Sequence, residues 1–455
     1  MGRKGAVTVL QPESLEVRVD QIVTEHVNPR GPGLAVLVAR DQDVLVHKAY
    51  GLADVESGRP LAPDDRFVIG SVTKQFACMA VMLLHHDGRV GYDDPVGRYL
   101  PEMPTAWRER ITVRQLMHHT SGVPEYLTGD FWENGEDYPD LGALLRLIAA
   151  FDELEFEPGT RWRYCNSGYI MLGEIVARAA DQSFADYLRH RVFEPLGMAD
   201  TEVGVNADWL PGLATGYMYE DQEHAERAPW NFSVVGGADG NIISGAADLH
   251  RWAVAQRASV LLPPASSSLA LVPCRPWDLS FSRYGFGLEI TERRGVREVS
   301  HGGGTLGYWT HLASFPDERL VVVLLSNAAG IDLTRIRGRI ATALLEDKMA
   351  PLVPAVVSPG MIEDKIGIWA GLPRDQKVVA EIAAGGSPEQ LTATIKHGDQ
   401  RVERHALMPL GRDLFCVDPV SNSYMQFTRS AGGLDGLRLT NGGMVINLKP
   451  ARAGQ

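Results

Sequence analysis

The sequence predicts a mixed α/β (α+β) protein in two parts. The first is a large domain with an antiparallel sheet flanked by helices and a mostly helical subdomain, and the second is a small antiparallel β-barrel. Strand-like runs lie near both ends of residues 1–350, helical segments and Gly- and Pro-rich loops lie between them, and short strand-like runs fill the C-terminal part. We therefore expect a domain over 1–350, a linker over 351–361 and a barrel over 362–455.

The N-terminal elements are predicted to be a helix and a hairpin. Apolar residues recur at helical spacing in LEVRVDQIVTEHV (15–27). The following GPGLAVLVARDQDVLVHKAYG (31–51) contains two strand-like runs joined at the polar RDQD turn.

Three strands and a helix are predicted near the end of the large domain. The strand-like runs are YGFGLEITE (284–292), GYWTHLASFP (307–316) and LVVVLLSN (320–327). The helical stretch LTRIRGRIATALLED (333–347) has apolar positions that would cover one face of a sheet. We expect these strands to share one sheet with the N-terminal hairpin.

The best domain boundary is MAPLVPAVVSPG (349–360), because Pro351, Pro354 and Pro359 cannot continue a helix and favour an extended connector. Beyond it lie seven or eight short strand-like runs separated by Gly, Asp, Asn or Pro, which predicts a small barrel or sandwich. The runs are KVVAEIA, LTATIKH, HALMPL, LFCVDP, SYMQFTR, GLRLTN and GMVINLKP.

Composition and charge narrow the class of partner. The chain has 455 residues, 45% of them hydrophobic, and a net charge of -13 from 44 basic and 57 acidic residues. The charge comes from scattered acidic residues with no basic run, so we expect no nucleic-acid or membrane partner. The N-terminus has no apolar run of signal-peptide length, which predicts a cytoplasmic location.

The four cysteines, Cys78, Cys165, Cys274 and Cys416, match neither a disulfide framework nor paired metal-ligand spacing, so we expect reduced thiols. His118 and His119 have no third ligand at suitable spacing, so no metal site is predicted. We expect no cofactor.

Ser71 and Lys74 in GSVTKQFACMAVMLL (70–84) are candidates for a nucleophile and its base. Residues i and i+3 share one helix face, and the unpaired N–H groups of a first turn favour negative charge near Ser71. The alternative is a helix cap beside a solvated lysine. The apolar run after Lys74 argues against it, because a lysine that opens a buried helix is costly without a purpose.

Two further segments carry suitable chemistry. RWRYCNSGY (161–169) places Tyr164 and Asn166 two residues apart, where a hydroxyl can relay a proton and an amide can hold a carbonyl. SHGGGTLGY (300–308) places His301 before three glycines, which let a substrate backbone approach and offer an oxyanion donor. The alternatives are a buried aromatic beside a turn asparagine, and a glycine hairpin with an incidental histidine.

The combination S-x-x-K, Y-x-N and H-x-G resembles the serine β-lactamase, penicillin-binding-protein and esterase superfamily, in its class C-like branch. The resemblance covers residues 15 to 345, and the flanking segments share it. Those segments are ITVRQLMHHTSGVPEY, FEPGTRWRYCNSGY, VFEPLGM and YGFGLEI. It implies a β-lactamase-like catalytic domain and, with the C-terminal strands, a lipocalin-like barrel.

The resemblance also implies roles for residues of this sequence. Ser71 is the expected nucleophile and Lys74 its base or proton shuttle. Tyr164 is expected to assist proton transfer to the leaving group, and His301 to tune Tyr164.

Substrate binding is expected from other residues of the same motifs. Asn166 would bind substrate, and the N–H groups of Ser71 and Gly304 would form the oxyanion hole, with Gly303 beside it. Asp239 lies where the family has a glycine-rich loop near the site, although a turn aspartate is the alternative.

The expected reaction is hydrolysis of D-configured aminoacyl or peptidyl substrates through an acyl-enzyme, because the domain combination is similar to D-stereospecific aminopeptidases and amidohydrolases. Two alternatives stay open. One is a penicillin-binding-protein-type thioesterase that macrocyclises a nonribosomal peptidyl thioester ending in a D-residue, presented by a carrier protein; there, Arg438 of the barrel would meet a carboxylate. The other is a non-catalytic binding module of the same fold.

Overall fold

The computed structural model describes residues 14–127, 140–204, 211–219, 225–228, 237–274, 282–371, 377–387, 390–398, 401–441 and 444–451. Within them, a large mixed domain precedes a closed barrel of strands, as the sequence predicts. No described helix has both the length and the apolar character that a bilayer span requires.

Most strands of the large domain are short, and the long ones belong to its main sheet. In chain order they are β1 (Leu34–Arg40), β2 (Asp43–Tyr50), β3 (Leu52–Asp54), β4 (Arg59–Pro60), β5 (Arg66–Val68), β6 (Glu202–Val203), β7 (Tyr217–Tyr219), β8 (Ala225–Arg227), β9 (Ile242–Gly245), β10 (Ser282–Tyr284), β11 (Glu289–Arg293), β12 (Val296–Thr305), β13 (Tyr308–Phe315), β14 (Leu320–Ser326) and β15 (Ala328–Ala329).

The helices flank that sheet or form the subdomain between its halves. They are α1 (Leu15–Thr24), α2 (Thr73–His86), α3 (Val113–Met117), α4 (Leu141–Ala149), α5 (Asn166–Ala180), α6 (Phe184–Leu188), α7 (Glu194–Leu196), α8 (Ala246–Ala258), α9 (Pro264–Ser267), α10 (Leu333–Leu345) and α11 (Pro359–Ile362).

The main sheet joins the two ends of the large domain. Its seven described strands lie in the order β10-β11-β12-β13-β14-β1-β2. The N-terminal hairpin enters through β1, which pairs antiparallel with β14 from Leu34 opposite Ser326 to Arg40 opposite Leu320. This confirms the predicted pairing of strands from both ends of the domain.

Both faces of this sheet are buried, which explains the unbroken apolar run of β1. Ala35, Leu37 and Ala39 point into the core that contains α2, α5 and α8. Leu34, Val36 and Val38 point into a second core formed with α1 and α10. Alternate residues of a strand face opposite sides, so a strand covered on both sides needs apolar residues throughout.

Two sequence interpretations need correction. The segment 284–292 is not one strand: β10 ends at Tyr284 and β11 begins at Glu289, and Gly287, at φ 68°, lies in the turn between them. The glycines 302–304 do not form a hairpin turn, because β12 continues through them to Thr305. The turn between β12 and β13 instead lies at residues 306–307, because Thr305 and Tyr308 still face each other in the register.

The barrel has eight described strands, which pair in sequence order and close through β16 and β23. They are β16 (Gly367–Gly371), β17 (Val378–Ala384), β18 (Leu391–His397), β19 (Arg401–Pro409), β20 (Leu414–Asp418), β21 (Ser423–Ser430), β22 (Gly433–Asn441) and β23 (Met444–Ala451). Seven match the predicted runs, and GIWAG of β16 was not among them. Residues 351–358 contain no helix or strand, and the exact domain limits stay predictions.

The barrel packs against the large domain through one of its turns. The Arg293 guanidinium donates to the backbone oxygen of Val420 at 2.7 Å. Gly338 of α10 approaches the same oxygen so closely that a Cβ would lie 1.7 Å from it. Arg293 and Arg337 are both buried and both contact the Glu298 carboxylate, at 3.4 and 2.9 Å. The barrel turn at Val420 therefore packs against Arg293 and Gly338, and Arg293 is linked through Glu298 to β12.

Candidate active site

Ser71 and Lys74 lie at the start of a buried helix, as the sequence predicts, but Ser71 does not cap it. Ser71 belongs to a 3-10 turn (Gly70–Val72), and no side chain caps α2. Lys74 is 0% exposed. Its Nζ donates to Ser71 Oγ at 3.0 Å, to Asn166 Oδ1 at 2.8 Å and to the Asp239 backbone oxygen at 2.6 Å.

Aromatic rings complete the surroundings of Lys74. Its Nζ lies 4.9 Å from the ring centroid of Tyr164 and 5.2 Å from that of Tyr169. A cation over an aromatic face is stabilised by the ring quadrupole, more strongly where water is excluded. Three oxygen acceptors and two rings therefore satisfy a buried lysine that would otherwise be costly.

Asn166, the first residue of α5, is held by a carboxylate that the sequence analysis did not single out. Glu125 Oε2 accepts from the Asn166 backbone N–H at 2.7 Å and from Nδ2 at 3.1 Å. This leaves Oδ1 of the amide facing Lys74. Burial raises the pKa of the Glu125 carboxyl, although hydrogen bonds from the N–H groups of Asn166 and Leu127 and the charge of Lys74 oppose that shift.

Asp239 contributes to the site mainly through its backbone oxygen. Its side chain points to Tyr126, whose hydroxyl donates to Oδ2 at 2.8 Å. Burial raises the pKa of the Asp239 carboxyl, and the charge of Lys74 and the Tyr126 hydrogen bond act against the shift. Tyr126 thus holds Asp239 and the neighbouring Glu125 holds Asn166, the two residues that accept hydrogen bonds from Lys74 besides Ser71.

The glycines of β12 lie against the turn that carries Ser71. A Cβ on Gly303 would meet the Ile69 oxygen at 2.0 Å, and a Cβ on Gly70 would meet the Gly304 nitrogen at 2.7 Å. Gly70 has a φ of 52°, in the left-handed region that glycine adopts easily. These contacts place the Gly304 nitrogen against the turn that carries Ser71.

The edge of β12 beside these glycines has room for a substrate backbone. On one side, residues 301–305 pair with β13. On the other, the pairing with β11 ends where Glu289 faces Ser300. Among the described residues, no strand continues along that edge, so its backbone groups border the cleft.

His301 belongs to a hydrogen-bond chain that sequence reasoning missed. His119 Nδ1 accepts from the Cys165 N–H at 3.0 Å, and its Nε2 lies 3.2 Å from the Tyr284 hydroxyl. That hydroxyl is 2.9 Å from His301 Nε2, and His301 Nδ1 is 2.6 Å from the Gly302 oxygen.

The end groups of this chain assign one proton on each histidine. The Cys165 N–H can only donate, so His119 accepts at Nδ1 and carries its proton on Nε2. The Gly302 oxygen can only accept, so His301 carries a proton on Nδ1. His119, at a φ of 58°, was not among the predicted site residues, yet its ring packs against that of Tyr164.

Tyr164 lies between these groups. Its ring centroid is 4.2 Å from that of His119 and 6.2 Å from that of His301. His301 thus lies beside Tyr164, and its Nε2 also forms a hydrogen bond with the Tyr284 hydroxyl.

A cleft of about 940 Å³ joins these residues. Seven of the eight predicted site residues line it, and Lys74 lies directly beneath. The lining residues of that set are Ser71, Tyr164, Asn166, Asp239, His301, Gly303 and Gly304. Arg438 does not line the cleft, because its neighbours Leu437 and Leu439 point into the barrel core and alternate strand residues face opposite sides.

Within the described residues, no three His, Cys, Asp or Glu side chains are grouped to hold a metal ion. His118 instead packs against Phe286, with ring centroids 4.8 Å apart.

Comparison with known sequences places most of the chain in one family. Residues 19–345 match the family described as Beta-lactamase. Penicillin-binding protein 4* of Bacillus subtilis (strain 168) is 32% identical over 307 residues, 64% of this chain and 67% of that protein. A D-aminopeptidase of Gluconobacter oxydans (strain 621H) is 28% identical over 299 residues, 65% of this chain. The match spans only 56% of that D-aminopeptidase.

Solved structures share the fold at low sequence identity. The octameric penicillin-binding protein homologue from Pyrococcus abyssi has a TM-score of 0.66 at 22% identity, over 95% of this chain and 99% of its own. The D-amino acid amidase from Ochrobactrum anthropi SV3, complexed with D-phenylalanine, has a TM-score of 0.65 at 22% identity, over 74% of this chain and 100% of its own. The first likeness includes the barrel.

Proposed function

We propose that this chain, which belongs to the β-lactamase family, is a serine hydrolase that forms an acyl-enzyme at Ser71 with D-configured aminoacyl or peptidyl substrates. The observation that carries the proposal is the set of three partners of Lys74. Of these, the Asn166 oxygen and the Asp239 backbone oxygen can only accept hydrogen bonds. Only the Ser71 hydroxyl has a proton to give.

This arrangement suits a base. As a neutral amine, Lys74 has two N–H groups and one lone pair. In that form its two N–H groups would remain on the two acceptors, at 2.8 and 2.6 Å, and the lone pair would replace the N–H that points to Ser71 Oγ at 3.0 Å. Lys74 then takes the Ser71 proton while Oγ forms a bond to the substrate carbonyl carbon.

The remaining groups fit the later steps. Negative charge develops on the carbonyl oxygen, and the N–H groups of Ser71 and Gly304 are its proposed donors. When the tetrahedral intermediate collapses, the bond to the leaving group breaks, and the proton that Lys74 took from Ser71 passes through Tyr164 to the leaving group. Water then attacks the acyl-enzyme, releases the acid and returns a proton to Ser71.

The D-configuration rests on two similar proteins. One is named a D-aminopeptidase and the other a D-amino acid amidase. Both names denote cleavage next to a D-residue, which is why we assign this stereochemistry to the substrate.

A paired substrate series tests the proposal. The purified chain is labelled with a fluorophosphonate probe and assayed with D- and L-aminoacyl amides. We expect labelling and D-selective hydrolysis, both lost in Ser71→Ala and both kept in Ser57→Ala, which changes an exposed serine. Absence of labelling in the unaltered chain would contradict the proposal and favour a binding module of the same fold.

A second candidate is cyclisation of a peptidyl thioester, presented by a carrier protein. It is favoured by the cleft, which reaches barrel residues such as Ile395 and Leu439 beyond the serine, and so offers space for a long acyl chain to fold back. Mass spectrometry of products from a peptidyl thioester ending in a D-residue separates the two candidates. A product lighter by one water than the linear acid indicates capture of the acyl-enzyme by the peptide's own amine.

A further inference from the structure

The cleft at Ser71 does not end at the large domain, because it opens into one end of the barrel. Its apolar barrel residues are Ile395, Val417, Leu439 and Ile446. They come from four different strands, β18, β20, β22 and β23. All four belong to the buried core of the barrel, so the cleft reaches the barrel interior rather than its outer wall.

Polar side chains surround this apolar floor. Glu403 faces Ile395 and His405 faces Ala393 in the strand register, and directly opposed residues of an antiparallel pair share one side of the sheet. Ile395 and Ala393 are core residues, so Glu403 and His405 also point inward. His397, Glu403 and His405 keep 25%, 24% and 24% of their side chains exposed, which places them at a rim open to the cleft.

Aromatic side chains fill another part of the interior. Trp369 and Phe427 pack edge to face with centroids 5.3 Å apart, and Phe415 packs on Phe427 at 5.9 Å. None of the three lines the cleft. The described interior is thus packed with rings in one region and offers smaller aliphatic side chains where it meets the cleft.

We propose that this end of the barrel, with Ile395, Val417, Leu439 and Ile446 as its floor, is a distal subsite that takes an apolar side chain of a peptidyl substrate bound at Ser71. The proposal rests on the proposed function and narrows its substrate to peptides longer than one residue. An eight-stranded barrel has an interior just wide enough to be filled by side chains or to hold one small ligand, and barrel mouths are common ligand sites.

The size of the cleft supports an extended substrate. Its volume of about 940 Å³ lies near the upper end of the ~300–1,000 Å³ typical of sites for drug-sized ligands. A single aminoacyl amide would occupy a small part of it. A peptide that runs from the edge of β12 toward the barrel would fill much more.

A length series of substrates tests the subsite without any substitution. The substrates are a D-aminoacyl amide and peptidyl amides with the same D-residue at the scissile bond, extended by one to four residues that end in leucine or in serine. We expect kcat/KM to rise at least tenfold when the chain reaches the barrel, for the leucine series only. No gain with length, or equal gains for both series, would overturn the proposal.

A matched pair of variants locates the effect. Val417→Phe narrows the floor, whereas Val402→Phe adds the same ring at a position that is 53% exposed. The preference for the longest leucine peptide over the single-residue amide should fall at least tenfold in Val417→Phe and stay unchanged in Val402→Phe. Thermal unfolding of both variants identifies any loss that comes from misfolding.

Photo-crosslinking gives a readout that does not depend on turnover. A peptidyl amide with photoleucine at its distal end is irradiated with the Ser71→Ala chain, and the adducts are mapped by mass spectrometry. Adducts on residues 391–446 support the subsite, and adducts confined to the large domain overturn it. Fluorophosphonate labelling and hydrolysis of the single-residue amide are scored separately, so the subsite can fail while the serine hydrolase stands.

Discussion

Glu125 holds the Asn166 amide in one orientation. A single carboxylate oxygen accepts both the backbone N–H and the side-chain Nδ2 of Asn166, at 2.7 and 3.1 Å. The opposite end of that amide, Oδ1, then accepts from Lys74 at 2.8 Å. Glu125 is therefore a positioning residue, which holds Asn166 against the proposed base.

Replacing Glu125 with Gln should lower kcat about 10- to 100-fold, because a hydrogen bond to a charged group contributes ~1.5–3 kcal/mol. The shorter Glu125→Asp should recover part of that loss. Steady-state kinetics check this, with Glu157→Gln, 63% exposed, as the control. A change in KM alone would point to substrate binding instead of positioning.

Lys74→Met should abolish acylation while the fold persists. Methionine fills the buried space without a base, and general-base catalysis contributes typically ~10²–10⁴-fold. The rate of fluorophosphonate labelling measures the loss directly, and far-UV circular dichroism checks the fold. Labelling at the unaltered rate would remove Lys74 from the proposed mechanism.

Adjacent glycines of β12 should respond differently to alanine. A methyl on Gly303 would lie 2.0 Å from the Ile69 oxygen and 2.3 Å from Thr310 Oγ1, whereas one on Gly304 would first meet the Trp309 ring at 3.6 Å. Gly303→Ala must shift the turn that carries Ser71, and overpacking costs about 1–3 kcal/mol. The free energy of unfolding, measured with denaturant, and kcat/KM should both fall in Gly303→Ala. In Gly304→Ala, the free energy of unfolding should change little.

Tyr284→Phe removes the hydroxyl between His119 and His301 and keeps the ring. Both histidines then lose a partner, and an unsatisfied buried polar group costs about 1–3 kcal/mol. We expect a drop of about tenfold in kcat and a lower unfolding temperature. Unaltered kcat together with lower stability would limit this chain of hydrogen bonds to a structural role.

His118 makes stability sensitive to acid. Burial lowers its pKa from 6.5 to about 4, so the folded chain holds it neutral while the unfolded chain takes up a proton. Above pH ~6.5, His118 does not reduce the free energy of unfolding. As the pH falls from there toward 4, the free energy of unfolding decreases by on the order of 3 kcal/mol because of this group.

In the variant His118→Phe, the free energy of unfolding should therefore depend less steeply on pH between 6.5 and 4. The change in slope corresponds to up to one proton fewer taken up on unfolding. Urea unfolding at several pH values measures that slope. His86→Phe, at an exposed position, is the matched control and should leave it unchanged. Equal slopes in His118→Phe and the unaltered chain would show that other groups govern acid unfolding.

Local patterns were enough to predict most of the fold. The helical spacing of residues 15–27 and the apolar runs of β1 and β14 gave the correct elements. β16 was missed because GIWAG is short and begins and ends in glycine. The strand assigned across 284–292 failed because Gly287, at φ 68°, allows a turn inside the segment.

The sequence by itself determined the residue types of the candidate site and their motif order, since Ser71 and Lys74 share a helix turn and Tyr164 and Asn166 share one short segment. Only the tertiary structure decided that Glu125, Tyr126 and the Asp239 oxygen support Lys74, and that the barrel meets the cleft. The hydrogen bonds around Lys74 join residues that are 41 to 165 positions apart in the chain. No local periodicity encodes such distances, because they arise from packing of the sheet, the helices and the barrel against one another.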